Sequence, residues 1–276
     1  MIKDIQLAIA DIDGTLTRDD GTLSEFTMDV LRRTHERGIL LGLATGREYN
    51  QAMEERTARW GFADPGFDMV IGLNGGQIWD RKTQYLKSFN LLEPEVIREI
   101  VEMMEPLNLN PFLYRNGKQF ARRMDESTRA SGLRNHQEVV IADDISLMWQ
   151  GPTPKIMFRV PEEQMPEVEA WADAHPSDQW QSFKTQTTML EFCDPSINKG
   201  FALKQYCEYT GIPLSSVMAF GDMTNDNQLL EAAGWGVCLK NGADDTKACA
   251  DDVTEYTNNE DGLAHYLLKH VLKEEE

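Results

Sequence analysis

Asp11-Ile12-Asp13-Gly14-Thr15 decides the reading of this chain, because it follows directly on the apolar run Ile5-Gln6-Leu7-Ala8-Ile9-Ala10. A short apolar run ending in an acidic, glycine-containing turn predicts a buried strand with polar chemistry at its carboxyl end. Beyond it, Leu23 to Glu36 sets Phe26, Val30, Leu31 and Thr34 at helical spacing behind the candidate N-cap Ser24, and Gly38 closes that helix. Ile39 to Ala44 reads as a second strand, Tyr49 to Trp60 as a second helix ending at Gly61, and Asp68 to Leu73 as a third strand. Strands alternating with helices of this length predict right-handed crossovers. The fold class is therefore α/β, with a doubly wound, Rossmann-like parallel sheet covered on both faces.

The alternation weakens after Asn74-Gly75-Gly76, where Gln77 to Asp80 and Tyr85 to Asn90 read as paired strands. An α+β pattern follows: helix Glu93 to Met104, a hairpin from Pro111 to Arg123 around Asn116-Gly117, strand Lys155 to Val160 and helix Glu162 to Ala174. Strands Gln179 to Lys184 and Thr188 to Phe192 complete it, while 124–152 shows no usable period. After Asp194-Pro195 the first style returns, with helix Lys199 to Tyr209, strand Val217 to Phe220, helix Asn225 to Ala233 and strand Gly236 to Leu239. The expected organisation is a core domain, 1–81 and 189–276, interrupted by an inserted α+β domain, 82–188.

With 46 acidic and 27 basic residues among 276, the formal charge is −19. Such a field disfavours nucleic acid and anionic membranes as partners, and it obliges any phosphate site to create local positive potential. The four cysteines form no C-x-x-C pair and read as reduced, buried thiols. With no basic and apolar leader at the amino end, and no run near the ~18 apolar residues of a membrane span, a cytoplasmic location is expected.

Ligands of a doubly wound sheet bind beyond the carboxyl ends of its strands. Those ends carry Asp11 and Asp13; Thr45, Gly46 and Arg47; Asn74; and Asp222, Asn225 and Asp226. Two carboxylates ~4 Å apart repel by about 4 kcal/mol at an effective dielectric of 20, so a convergent acidic cluster must raise its pKa values or hold a cation. Oxygen donors without His or Cys favour a hard ion, Mg²⁺, that also takes a phosphate oxygen. Asp11 is then the candidate nucleophile and Asp13 the candidate acid and base. Thr45 offers a hydroxyl, and Lys199 a point charge at a helix start. Asn74 reads either as a tight turn or as a site contact, and Arg47 either as a helix-start charge or as a contact to the inserted domain.

Asp-Ile-Asp-Gly-Thr, Thr45, Lys199 and Gly-Asp-Met-Thr-Asn-Asp, in this order and spacing, resemble the four motifs of the haloacid dehalogenase (HAD) superfamily of phosphohydrolases. The insertion is similar to the type IIB α/β cap of the Cof-like phosphatases, so the resemblance covers essentially the whole chain. It implies Mg²⁺ held by the Asp11 side chain, the Asp13 carbonyl and Asp222, with Asp226 supporting the metal site. It also implies Thr45, Gly46, Lys199 and Asn225 on the phosphate. The activity implied is hydrolysis of small phosphorylated metabolites, sugar phosphates foremost, through an aspartyl-phosphate. An acid at Asp13 disfavours dehalogenation. A phosphomutase of the same superfamily and a non-catalytic phosphate-responsive module are the competing readings.

Overall fold

The computed structural model describes residues 4–63, 65–89 and 91–274; Asn90, expected at the end of a strand, lies outside them. Residues up to Lys87 and from Ile197 onward form one compact unit, and Ser88–Ser196 the other.

The first unit begins with β1 (Leu7–Ala10), α1 (Glu25–Glu36), β2 (Leu40–Ala44), α2 (Gln51–Arg59), β3 (Met69–Gly72), β4 (Gln77–Asp80) and β5 (Tyr85–Ser88). Ser24 caps α1 as the sequence predicts, its hydroxyl accepting the Thr27 N–H at 2.9 Å. The inserted unit supplies α3 (Pro94–Met104), β6 (Asn110–Arg115), β7 (Lys118–Ala121), α4 (Glu126–Arg134), β8 (Glu138–Ile141), β9 (Lys155–Arg159), α5 (Met165–Asp173), β10 (Gln181–Gln186) and β11 (Met189–Cys193). The chain returns through α6 (Lys199–Thr210), β12 (Val217–Gly221), α7 (Asn227–Ala232), β13 (Trp235–Cys238), α8 (Asp244–Cys249), β14 (Asp252–Val253) and α9 (Gly262–Leu267).

The core sheet runs β14-β13-β12-β1-β2-β3-β4-β5. Pairing is parallel from β14 to β3 and turns antiparallel at β4. Residues of β1 are buried on both faces, as a central parallel strand requires. Ala10 lies opposite both Phe220 and Leu43, so the carboxyl ends of β12, β1 and β2 stand side by side.

In the inserted unit the order is β10-β11-β9-β6-β7-β8, antiparallel except for the β7–β8 pair. Along β9, Ile156 and Phe158 pack with Ile97, Ile100 and Val168 of the covering helices, while Met157 packs with Phe112 on the other face. That is the period of two of a strand. Lys155, on the Met157 face, is buried against Glu191 of β11 at 2.8 Å. The hairpin at Asn116-Gly117 is present, with φ of 53° and 73°.

The unit boundaries differ from the expected 82 and 188 because β5 pairs into the core sheet whereas β11 pairs between β9 and β10. The unassigned stretch 124–152 holds α4 and β8. The helix expected from Asn225 starts at Asn227, after a single 3₁₀ turn over Thr224–Asp226.

Candidate active site

Asp11 leaves the end of β1 and donates its N–H to Phe220 O at 3.0 Å. The chain then turns at once, with Thr17 N–H on Ile12 O at 2.9 Å. Gly14 makes this turn possible: its φ is +89°, and a Cβ there would stand 2.5 Å from Asp222 Oδ2. On the far side, Thr15 Oγ1 donates to Asp222 Oδ1 at 2.6 Å. The two acidic loops are thus pressed together without an intervening side chain.

Lys199 enters from the start of α6. Asn198 caps α6 by accepting the Phe201 N–H at 2.8 Å, which fixes Lys199 as the first helical residue. The lysine is fully buried, with Nζ at 2.5 Å from both Asp11 Oδ1 and Asp226 Oδ1. The second Asp226 oxygen accepts the N–H groups of Asp222 at 3.0 Å and Met223 at 3.2 Å. Both oxygens of Asp226 are therefore engaged, and Asp226 ties the Asp222 loop to the lysine.

Carboxylate oxygens of Asp11, Asp222 and Asp226 lie within 4.8 Å of one another. Burial pushes Asp11 well above the usual carboxylate range, against the opposing pull of Lys199. Burial likewise raises Asp222, to about 6, against the Thr15 hydrogen bond. Burial alone would lower the Lys199 ammonium, but Asp11 and Asp226 outweigh it and hold it charged. One cation therefore serves three carboxylates. The surplus negative charge, the all-oxygen donor set and the burial fit a hard divalent cation held by Asp11 and Asp222.

Asp13 points elsewhere. Its side chain is 53% exposed and clasped by two arginines, Arg47 Nη2 at 3.1 Å and Arg56 Nη2 at 2.7 Å. Partial burial would raise it, but the fields of Arg47 and Arg56 prevail and hold it below the usual range. Beside it, Thr45 O accepts the Asn74 N–H at 3.0 Å, and Thr45 Oγ1 accepts the Arg47 N–H at 3.2 Å. Leu73 and Asn74 have φ of 53° and 54°, so Asn74 does make a tight turn. Its Oδ1 also accepts from Asn225 Nδ2 at 3.3 Å. A Cβ on Gly46 would stand 3.2 Å from the Asn74 amide, so Gly46 lets that amide approach.

All ten sequence-derived candidates thus lie in the core unit, nine of them in the loops that follow its strands and Lys199 at the start of α6. Asp11, Lys199 and Asp226 meet directly with Asp222 alongside, whereas Asp13 is bonded to arginines. Sequence reasoning missed two partners. Thr15 stood inside the quoted motif with no role assigned. Arg56 carried no signal, being one of several charged residues along α2.

The comparisons with known proteins agree with this geometry. A family model described as haloacid dehalogenase-like hydrolase matches residues 8–267. The chain is 27% identical to the 5-amino-6-(5-phospho-D-ribitylamino)uracil phosphatase YitU of Bacillus subtilis, over 96% of this chain and 97% of that protein. Among solved structures, a haloacid dehalogenase-like hydrolase from Bacteroides thetaiotaomicron superposes with a TM-score of 0.81 at 24% identity, over 96% of this chain and 99% of that one. A sugar phosphatase of HAD subclass IIB superposes with a TM-score of 0.77 at 20% identity, over 95% and 98% of the two chains. The chain belongs to the haloacid dehalogenase-like hydrolases, and within that family it is a phosphoric monoester hydrolase.

Proposed function

We propose that this phosphatase hydrolyses small phosphorylated metabolites, sugar phosphates foremost, in a Mg²⁺-dependent reaction through an aspartyl-phosphate on Asp11. The observation that carries the proposal is the buried Asp11–Lys199–Asp226 contact with Asp222 alongside. It supports a carboxylate kept in one place at the carboxyl end of β1, with Lys199 favouring its ionised form against the effect of burial, ready to attack phosphorus. Asp11 and Asp222, with the Asp13 carbonyl, would hold the ion, which when bound supplies positive charge against the phosphoryl oxygens.

Asp11 forms the bond to phosphorus while the ester oxygen leaves with a proton from Asp13. In the second half Asp13, now ionised, takes a proton from the water that attacks phosphorus, which releases phosphate and restores Asp11. Two arginines on Asp13 favour its ionised form, which suits this second step. Arg47 passing from Asp13 to a phosphoryl oxygen would let Asp13 be protonated for the first. Lys199, the Thr45 hydroxyl, the Gly46 N–H and the Asn225 amide are assigned to the phosphate, and Asn74 orients Asn225. Asp226 is assigned to holding the Asp222 loop. Substrate choice is assigned to the inserted unit, as the resemblance to a type IIB cap implies.

The phosphorylated ribityl compound named for the Bacillus subtilis relative supports a polyhydroxylated phosphate ester as substrate. A net charge of −19 supports a small substrate over nucleic acid or an anionic membrane. Four free cysteines, three of them buried, support a reducing, cytoplasmic setting. Phosphate release from a panel of sugar, nucleotide and cofactor phosphates, with Mg²⁺ and with chelator, tests the reading. Release that requires Mg²⁺ is expected; folded protein that releases none from any compound would overturn it.

A further inference from the structure

The turn that carries Asp13 is not closed by its own hydrogen bonds alone. Ile12 O receives the Thr17 N–H and hydroxyl, both at 2.9 Å, but Gly14 O is reached from outside, by Asn241 Nδ2 at 2.8 Å. Asn241 Oδ1 in turn accepts the Asn258 N–H at 2.9 Å. The buried Asn258 then donates Nδ2 to Thr17 O at 3.1 Å and to Asp19 Oδ1 at 2.9 Å. Two side-chain amides therefore grip the turn at two successive points.

The other end of the same segment is fastened to the second acidic loop. Leu239 N–H donates to Gly221 O at 3.0 Å, and Ala243 N–H to Asp222 O at 2.8 Å. Residues 239–243 thus bond the backbone of Asp222 on one side and, through the Asn241 side chain, the peptide of Gly14 on the other. Gly14 is the residue that presses on the Asp222 carboxylate, at a separation too small for a Cβ.

We propose that Asn241 is a positioning residue, with Asn258 orienting it, and that it sets the gap between Asp11 and Asp222 across which the divalent cation is held. The proposal rests on the metal-dependent reading given under Proposed function and adds a residue that neither the motifs nor the charge cluster contains. Asn241 is solvent-exposed and its bonds are individually modest, so its removal loosens the loop without unfolding the core. Residues that orient metal ligands without touching the ion cost about 10- to 100-fold in affinity when removed.

The test measures Mg²⁺ binding to the full-length protein by calorimetry, beside phosphate release as a function of Mg²⁺. Asn241→Ala should raise the Mg²⁺ dissociation constant about tenfold or more, with most of the lost turnover recovered at saturating Mg²⁺ and an unchanged melting temperature in chelator. Asn259→Ala is the control, because its amide reaches the same turn only at Asp19, with Nδ2 at 2.8 Å from Oδ2. It should bind Mg²⁺ as the wild type does. Wild-type affinity in Asn241→Ala, or an equal loss in Asn259→Ala, would overturn the brace while leaving the phosphatase reading standing. A wild-type protein that binds no divalent cation would overturn the metal-dependent reading itself, and the brace with it.

Discussion

Each unit buries a lysine against carboxylate, and the two arrangements differ in their arithmetic. In the inserted unit Lys155 meets Glu191 one for one, with 8% and 5% of their side chains exposed, and Thr185 Oγ1 satisfies the second Glu191 oxygen at 3.0 Å. In the core, Lys199 meets two carboxylates while a third lies alongside. The first arrangement sets one positive charge against one negative, so the pair carries no surplus charge. The second carries surplus charge in a buried place, a state that a fold retains where a cation or a reacting group completes it. Burial and ion pairing look alike in the two units; the balance of charge separates the structural pair from the reactive cluster.

The comparison breaks if the surplus carboxylate does no chemistry. Asp11→Asn keeps the shape and removes one of the repelling charges, so the protein should melt no lower than the wild type. Phosphate release should nonetheless fall on the order of 10⁴-fold or more, since an amide cannot serve as the nucleophile. Turnover near the wild-type rate would strip Asp11 of its role. A smaller effect is expected at the rim of the same site. Asp13→Asn should lose about 10²- to 10⁴-fold on alkyl phosphates and far less on an activated aryl phosphate, whose leaving group departs without a proton. Equal losses on both classes would show that Asp13 does not protonate the leaving group.

The core was legible because buried parallel strands are continuous apolar runs, and their carboxyl ends, at Asp11, Thr45, Asn74 and Asp222, are where polar residues break those runs. Convergence of the acids followed from topology. The details that escaped depend on side chains reaching across the chain. Arg56 sits in α2 like any surface arginine, and only the folded turn after β1 brings Asp13 to it. The helix after Asp222 starts two residues late because Asp226 turns its carboxylate back onto the N–H groups of Asp222 and Met223. Within 124–152, α4 buries Thr128, Ser131 and Gly132 rather than an apolar stripe, so periodicity had nothing to detect. The difference between the boundary expected at 188 and the division after Ser196 has a similar cause, since β11 is wholly buried and reads no differently from a core strand.

The smallest catalytic effect should come from the closed pair, and it sharpens the comparison most. Lys155→Met strands Glu191 as a lone buried carboxylate and should cost about 3–5 kcal/mol of stability. Adding Glu191→Leu removes the stranded charge and restores a neutral, apolar site between β9 and β11. The double variant should recover most of that loss and approach or exceed wild-type stability, because a balanced buried pair repays little beyond its own desolvation. Thr185 loses its acceptor in the double variant, but it is only partly buried and water can replace that bond. Thermal melts of the wild type, both single variants and the double variant give the coupling directly. The same swap at Lys199 has no such rescue, because replacing it with Met leaves three acids without their cation, and no single further substitution balances them. If the double variant at 155 and 191 instead remained as unstable as either single one, the pair would be more than charge balance, and the distinction between the two lysines would fail.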